Sequence, residues 1–140
     1  MDKIKTVLVD IDGTLAKHVE RSPYDYRKLH TDALHEDIAE LVRVLFAGGY
    51  AIVIVSGRPD EEDNYIRTYE WLEKHNIPFS HLFMRKGGDR RNDSIVKAEI
   101  YRNDIEPTRD VFLVLDDRNR VVDAWRNLGL RCLQVAPGDF

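Results

Sequence analysis

VLVDIDGTL, Val7 to Leu15, is an apolar, β-branched run that ends at two aspartates separated by one isoleucine and followed by glycine and threonine. A continuously apolar run of this length reads as a strand covered on both faces of a parallel sheet. In an extended chain, residues two apart project to the same side, so Asp10 and Asp12 lean toward one spot while Ile11 turns into the core. Gly13 lets the chain turn without a Cβ penalty, and the N–H groups after it can face an anion. Two carboxylates this close repel each other unless positive charge stands beside them.

Four further strands are predicted outward from this one: YAIVIVS (Tyr50 to Ser56), HLFM (His81 to Met84), VFLVLD (Val111 to Asp116) and RCLQV (Arg131 to Val135). They alternate with amphipathic stretches, the pattern of an α/β protein with a parallel sheet. TDALHEDIAELVRVLFAGG puts Leu34, Ile38, Leu41, Val42 and Leu45 on one helical stripe, with Thr31 as N-cap and Gly48–Gly49 as the stop. EEDNYIRTYEWLEKHNI, NDSIVKAEIYRND and RNRVVDAWRNLG predict three more helices. Residues 16–30, with Pro23, read as a functional loop or small lid, and 84–92 as a second loop. Trp125 is expected to pack the last helix on the sheet, and the five histidines, without paired spacing, to serve as surface or packing residues.

Open parallel sheets bind ligands beyond the carboxyl ends of their strands. Asp10 and Asp12 end the first predicted strand, Ser56 the second, and Asp116 with Asp117 the fourth, so these groups converge on one rim. An oxygen-rich cluster of this kind suits a hard cation, and Mg²⁺, which takes one or two carboxylates and keeps several waters, fits best.

Composition bounds the reading. The 140 residues, 43% apolar and 33% charged, are enough for one core of ordinary size, and a single domain over 1–140 is expected. The formal net charge of −4 supplies no global basic field, so any nucleic-acid partner is met by a local patch. Cys132 is the one cysteine, which excludes an intramolecular disulfide and favours a reducing, cytoplasmic setting. The start MDKIKTVLVD lacks the apolar stretch of a signal peptide, and no membrane association is expected.

DIDGT after a strand, VSGR after the next, Lys97 within DSIVKAEI, and LDDRNRVVDAW together resemble the four motifs of the haloacid dehalogenase superfamily of phosphohydrolases. RSPYD, GDRRNDSIVKAEI and the closing QVAPGDF extend the likeness over nearly the whole chain. They make it similar to the 3'-phosphatase domain of polynucleotide kinase-phosphatases of the phage T4 type. The kinase signature G-x-x-x-x-G-K-[ST] does not occur in these residues. The resemblance implies a Rossmann-like sheet of about five strands with helices on both faces and a minimal lid.

It also implies a Mg²⁺-dependent phosphatase acting on polynucleotide 3' ends, RNA or DNA, in nucleic-acid repair, with a kinase domain or ligase as possible partner. Opening of 2',3'-cyclic phosphate ends belongs to the same implied chemistry. Asp10 would be nucleophile and Asp12 the general acid and base, a task for a carboxyl of raised pKa. Asp10, the Asp12 carbonyl, Asp116 and Asp117 would hold the metal, with Asp117 direct and Asp116 through water. Lys97 would balance charge, Thr14 and Ser56 would donate hydrogen bonds to phosphoryl oxygens, and Arg21 and Arg58 would grip the phosphate. Asp93 would orient one of these cations and Arg85 would contact the polynucleotide backbone. Two alternatives remain open. A small-molecule phosphomonoesterase would share the chemistry, whereas a receiver-type phospho-acceptor switch needs its acceptor on a middle strand and a lysine after the last one. The predicted middle strand ends in Ser56 and LQVAPG has no lysine.

Overall fold

The computed structural model describes residues 2–140. Its main sheet is five-stranded and parallel, in the order β5-β4-β1-β6-β7. The strands are β1 (Ile4–Val9), β4 (Ala51–Asp60), β5 (His81–Lys86), β6 (Arg109–Asp116) and β7 (Cys132–Gln134). Two short strands, β2 (Ala16–Lys17) and β3 (Ala33–Leu34), form a separate antiparallel pair. The helices are α1 (Glu36–Ala47), α2 (Asn64–Lys74), α3 (Asp93–Ile100) and α4 (Asn119–Asn127), and a π-helical turn, Tyr101–Ile105, continues α3. No helix among the described residues is long and apolar enough to cross a membrane.

Both faces of the sheet are covered, which is why β1 needs no polar alternation. Val7, Val9, Ile52, Ile54 and Leu115 face a core shared with α1 and α2, through Val42, Trp71 and Leu72. Leu8, Val53, Val55 and Val114 face a second core against Tyr101, Ile105, Val121, Val122 and Trp125. Alternate residues of one strand therefore feed two cores. β1 lies between β4 and β6, so the middle strand in space is the one that leads into Asp10, not the one that passes through Ser56.

Three local expectations are corrected. Thr31 does not cap α1; it closes a 3₁₀ turn, Tyr26–Thr31, and Leu34 lies on β3, so α1 starts only at Glu36. The pairing of β2 with β3 takes those residues because Ala16 and Lys17 lie within reach for a two-residue ladder. β4 does not stop at Ser56. It bulges at Gly57–Arg58 and pairs again at Pro59 and Asp60 with Arg85 and Lys86, which shortens the 84–92 loop. A bulge bends its strand and re-aims a side chain, and here the redirected residue is Arg58.

Candidate active site

The turn after β1 is closed by Gly13 N–H donating to Ala16 O at 2.9 Å and, mainly, by one carbonyl. Ile11 O accepts from the N–H groups of Thr14, Leu15 and Ala16, while the Ile11 side chain is buried in the α1/α2 core. That turn leaves Asp10 and Asp12 on the wall of one cleft of about 640 Å³, shared with Arg58, Lys97, Asp116 and Asp117. Gly13 is required twice: its φ is +87°, and a Cβ there would come 2.0 Å from Asp117 Oδ2. The absence of a side chain at position 13 is what lets the acidic pair approach the first strand.

Two ion clusters divide the floor of this cleft. In the first, carboxylate oxygens of Asp10, Asp116 and Asp117 lie within 4.8 Å of one another. Lys97 Nζ, buried on α3, donates to Asp10 Oδ1 at 2.8 Å and to Asp116 Oδ2 at 2.9 Å. Thr14 Oγ1 donates to the other Asp10 oxygen at 2.9 Å, and Trp125 Nε1 donates to Asp116 Oδ2 at 3.1 Å. Burial pushes the Asp10 carboxyl well above the usual range, Asp116 and Asp117 add to the shift, and Lys97 opposes it. Asp117 is pushed up first by burial and then by Asp116, with Asp10 and Lys97 lowering it. Burial works against the Lys97 ammonium, but Asp10 and Asp116 outweigh it and hold its pKa high.

In the second cluster, Arg58 grips Asp12 with two donors, Nε to Oδ2 at 2.9 Å and Nη2 to Oδ1 at 2.7 Å. The same Nη2 donates to Asp32 Oδ2 at 2.9 Å, and Nη1 donates to Thr68 Oγ1 at 3.1 Å. Arg21 forks onto Asp32 through Nε at 2.8 Å and Nη2 at 3.0 Å, and reaches Asp12 Oδ1 at 3.4 Å. His18 Nε2 lies 2.7 Å from Asp12 Oδ1. The expected raised pKa of Asp12 is corrected: burial raises it, but Arg58 and then His18 outweigh burial and hold the carboxyl well below the usual carboxylate range. Arg58, one of the two guanidinium groups expected to grip a phosphate, is thus the main group that keeps Asp12 ionised.

The remaining expected residues occupy less direct positions. Ser56 is fully buried, and its Oγ accepts from Arg58 N at 3.1 Å, so it shapes the bulge. Asp93 orients neither Arg21 nor Arg58; its Oδ2 accepts from Arg118 Nη1 at 2.8 Å. Arg85 lines the cleft but is spent on backbone carbonyls, those of Gly57 at 2.9 Å, Asp89 at 3.1 Å and Arg91 at 2.5 Å. It braces the second loop, whose exposed cations are Lys86, Arg90 and Arg91.

Three participants escaped the sequence reading: Asp32, His18 and Arg118. Asp32 looked like part of a helix start and His18 like one of five unpaired histidines. The one available signal was the density of charge in the 16–32 stretch, too high for a loop that merely connects.

The family model of the polynucleotide kinase PNKP phosphatase domain matches residues 4–140. The chain belongs to this family of phosphatase domains. Its fold is haloacid dehalogenase-like, and a hydrolase from Streptococcus pneumoniae TIGR4 shares that fold with a TM-score of 0.64 at 16% identity, covering 98% of this chain and 95% of the other. A chain in the solved "Structure of the Pnkp1/Rnl/Hen1 RNA repair complex" superposes with a TM-score of 0.93 at 37% identity, over 99% of this chain and 44% of that one. A chain in the related "Structure of Pnkp1/Rnl/Hen1 complex" gives 0.92 at 37% identity, over 97% and 47%. The "Putative bifunctional polynucleotide kinase/RNA ligase" of Autographa californica nuclear polyhedrosis virus is 34% identical over 127 residues, 89% of this chain. The phosphatase domain described here spans 18% of that viral relative and less than half of each repair-complex chain.

Proposed function

We propose that the chain is a Mg²⁺-dependent polynucleotide 3'-phosphatase that works through an aspartyl-phosphate on Asp10. The observation that carries this reading is the partition of the cleft floor: a buried carboxylate, Asp10, held by Lys97 and Thr14, beside a second, Asp12, held by guanidinium groups. The first arrangement fixes a nucleophile and the second a proton carrier with phosphate-binding cations around it.

Asp10, Asp116 and Asp117 fit a hard divalent cation, because three converging carboxylates face one ammonium and all the donors are oxygens. Mg²⁺ bound there, with the Asp12 carbonyl as a further ligand, supplies neutralisation of charge on the transferring group.

The phosphoryl group enters between Arg21, Arg58 and Lys97, and one Asp10 oxygen attacks phosphorus as the bond to the sugar oxygen breaks. Asp12 delivers a proton to that leaving oxygen. When phosphate draws Arg58 away, Asp12 loses the largest lowering influence on its pKa, which lets an otherwise ionised carboxyl carry that proton. Water then attacks the aspartyl-phosphate, Asp12 takes its proton, and inorganic phosphate leaves with Asp10 restored. A 2',3'-cyclic end is opened by the same attack on phosphorus.

A cleft of about 640 Å³ is larger than a phosphoryl group needs, and the small lid of residues 16–34 leaves room for a strand end. The relatives named for polynucleotide kinase, RNA ligase and RNA repair support a polynucleotide end as substrate and a kinase or ligase as working partner. A cytoplasmic setting belongs to the same proposal, since a lone cysteine suits a reducing compartment.

The test compares phosphate release from a 3'-phosphorylated oligonucleotide, a 3'-mononucleotide and a sugar phosphate, with and without Mg²⁺. The oligonucleotide is expected to show the highest kcat/KM, and its advantage to shrink with salt at a slope of about −0.7 per contacted phosphate. Equal efficiency on all three at every salt concentration would leave a small-molecule phosphomonoesterase in its place.

A further inference from the structure

The mouth of the cleft carries an aromatic ring that neither core uses. Phe140 is 58% exposed and lines the cleft together with Arg118 and Arg120. The ring is nonetheless held in place. The Arg118 guanidinium carbon lies 4.5 Å from the ring centroid, and Arg118 is itself tied to Asp93. Phe140 O accepts from Arg120 Nη2 at 3.0 Å, and its N–H donates to Gly138 O at 2.9 Å. Gly138 in turn accepts from Asn119 N, and a Cβ on it would come 1.8 Å from the Asp117 carbonyl oxygen. The segment 138–140 is thus clamped against the loop that presents the acidic pair, and the ring stands at a fixed place relative to Asp117.

A fixed, exposed ring backed by a guanidinium at the mouth of a site is the arrangement on which a nucleobase stacks. Arg118, paired with Asp93, occupies part of the ring and leaves the rest open, and Arg120 lines the same mouth beside it. The geometry points to Phe140 as the stacking platform for the base of the nucleotide that bears the scissile 3'-phosphate, an inference that rests on the polynucleotide reading above. Stacking is tolerant of base identity, because every base has a π-face. The site accordingly takes a purine or a pyrimidine end but discriminates against an end without a base.

The experiment uses two 3'-phosphorylated oligonucleotides, one with an ordinary terminal base and one whose terminal nucleotide is abasic. The ratio of their kcat/KM values exceeds one for the wild-type chain. Phe140→Ala is expected to bring it down roughly 5- to 100-fold, toward one, and Phe140→Tyr to preserve it. In the Asp10→Asn background, which prevents turnover, a terminal 2-aminopurine should be quenched on binding. The quench should vanish when Phe140→Ala is added and persist with Phe140→Tyr.

If Phe140→Ala lowers both substrates alike, or leaves the quench intact, the stacking role is wrong while the phosphatase reading stands. Tyr24, an exposed lid tyrosine that also lines the cleft, is the competing ring; loss of the quench with Tyr24→Ala instead would put the base on the lid and overturn the assignment. Failure of the wild-type chain to release phosphate from either oligonucleotide would end both readings.

Discussion

The two halves of the cleft floor are built from the same residue types and balanced differently. On the Lys97 side, three carboxylates, Asp10, Asp116 and Asp117, share one ammonium. On the Arg58 side, two carboxylates, Asp12 and Asp32, share two guanidinium groups. Among the described residues Lys97 alone pairs with the first half, which leaves it an excess of carboxylates and poises it for a cation. The second is closed on itself, so an incoming phosphate must compete with Asp12 and Asp32 for the arginines. On the proposed reading, the same cleft would take its two ligands by opposite means, one by unmet charge and the other by exchange of partners.

The largest effect that would break this picture lies in turnover. Asp10→Asn keeps the shape but removes the attacking charge, and steady-state phosphate release is expected to fall roughly 10⁴-fold or more with the circular dichroism spectrum unchanged. Asp12→Asn should cost about 10²- to 10⁴-fold, the range of general acid–base catalysis. Substantial activity in a pure, folded Asp10→Asn sample would remove the nucleophile from the first half.

Stability separates the halves by sign. Asp32→Asn leaves two buried guanidinium groups short of a partner, and denaturant titration should show a loss of about 3–5 kcal/mol. The same change at Asp117 removes a carboxylate from an overcrowded cluster, so the metal-free protein should melt a few degrees higher while Mg²⁺-dependent activity is lost. If both substitutions shift the midpoint in the same direction, the contrast in charge balance is wrong.

Chelation and pH sharpen the first half further. EDTA should abolish activity with the fold intact, Mg²⁺ should restore it, and Ca²⁺ should support it poorly because of its looser coordination. The folded-state pKa values of Asp10 and Asp117 are raised, so both groups bind protons more tightly in the folded metal-free chain than in the unfolded one. Their contribution to stability is fully present below the ordinary carboxylate pKa and is lost as pH rises through the raised values. Asp12, held low, contributes stability above its ordinary value that is lost in acid. Calorimetric titration should therefore show Mg²⁺ binding weaken and release more protons as pH falls toward 5, because the metal and protons compete for the same oxygens.

The smallest effect concerns Cys132, buried behind Asp116 with a thiol pushed up to about 12 by burial and then by Asp116. Under native conditions at pH 8 it should resist thiol reagents that modify it at once in denaturant. Rapid native labelling would mean that the α4/β7 side of the sheet opens more easily than its packing implies.

Much of this fold was legible locally. Continuous apolar runs announced strands covered on both faces, and the 3.6-residue stripes announced helices on either side, because burial on one face leaves a periodic trace in sequence. Carboxylates at the ends of the first and sixth strands marked the rim. The start of α1 was misread because residues 31–35 carry helical periodicity, and a two-residue ladder with Ala16 and Lys17 claims part of them instead. The extension of β4 was missed because the continuous apolar run that announced the strand ends at Val55, and the bulged segment beyond it, Ser56 to Asp60, is polar with a glycine and a proline.

The sequence by itself singled out the groups on which the proposed chemistry rests: the DIDGT turn, the acidic pair and Lys97 are identifiable from their order and their strand or helix context. Only the tertiary structure decided which carboxylate meets which cation. Lys97 reaches Asp10 across 87 positions and Arg58 reaches Asp12 across 46, while Asp32 comes in from the lid and Phe140 closes onto Arg118. The physical reason is range. Propensity and hydrophobic period act over a few residues, whereas these pairings follow from the order of the strands in the sheet and from the requirement that every buried charge find a partner.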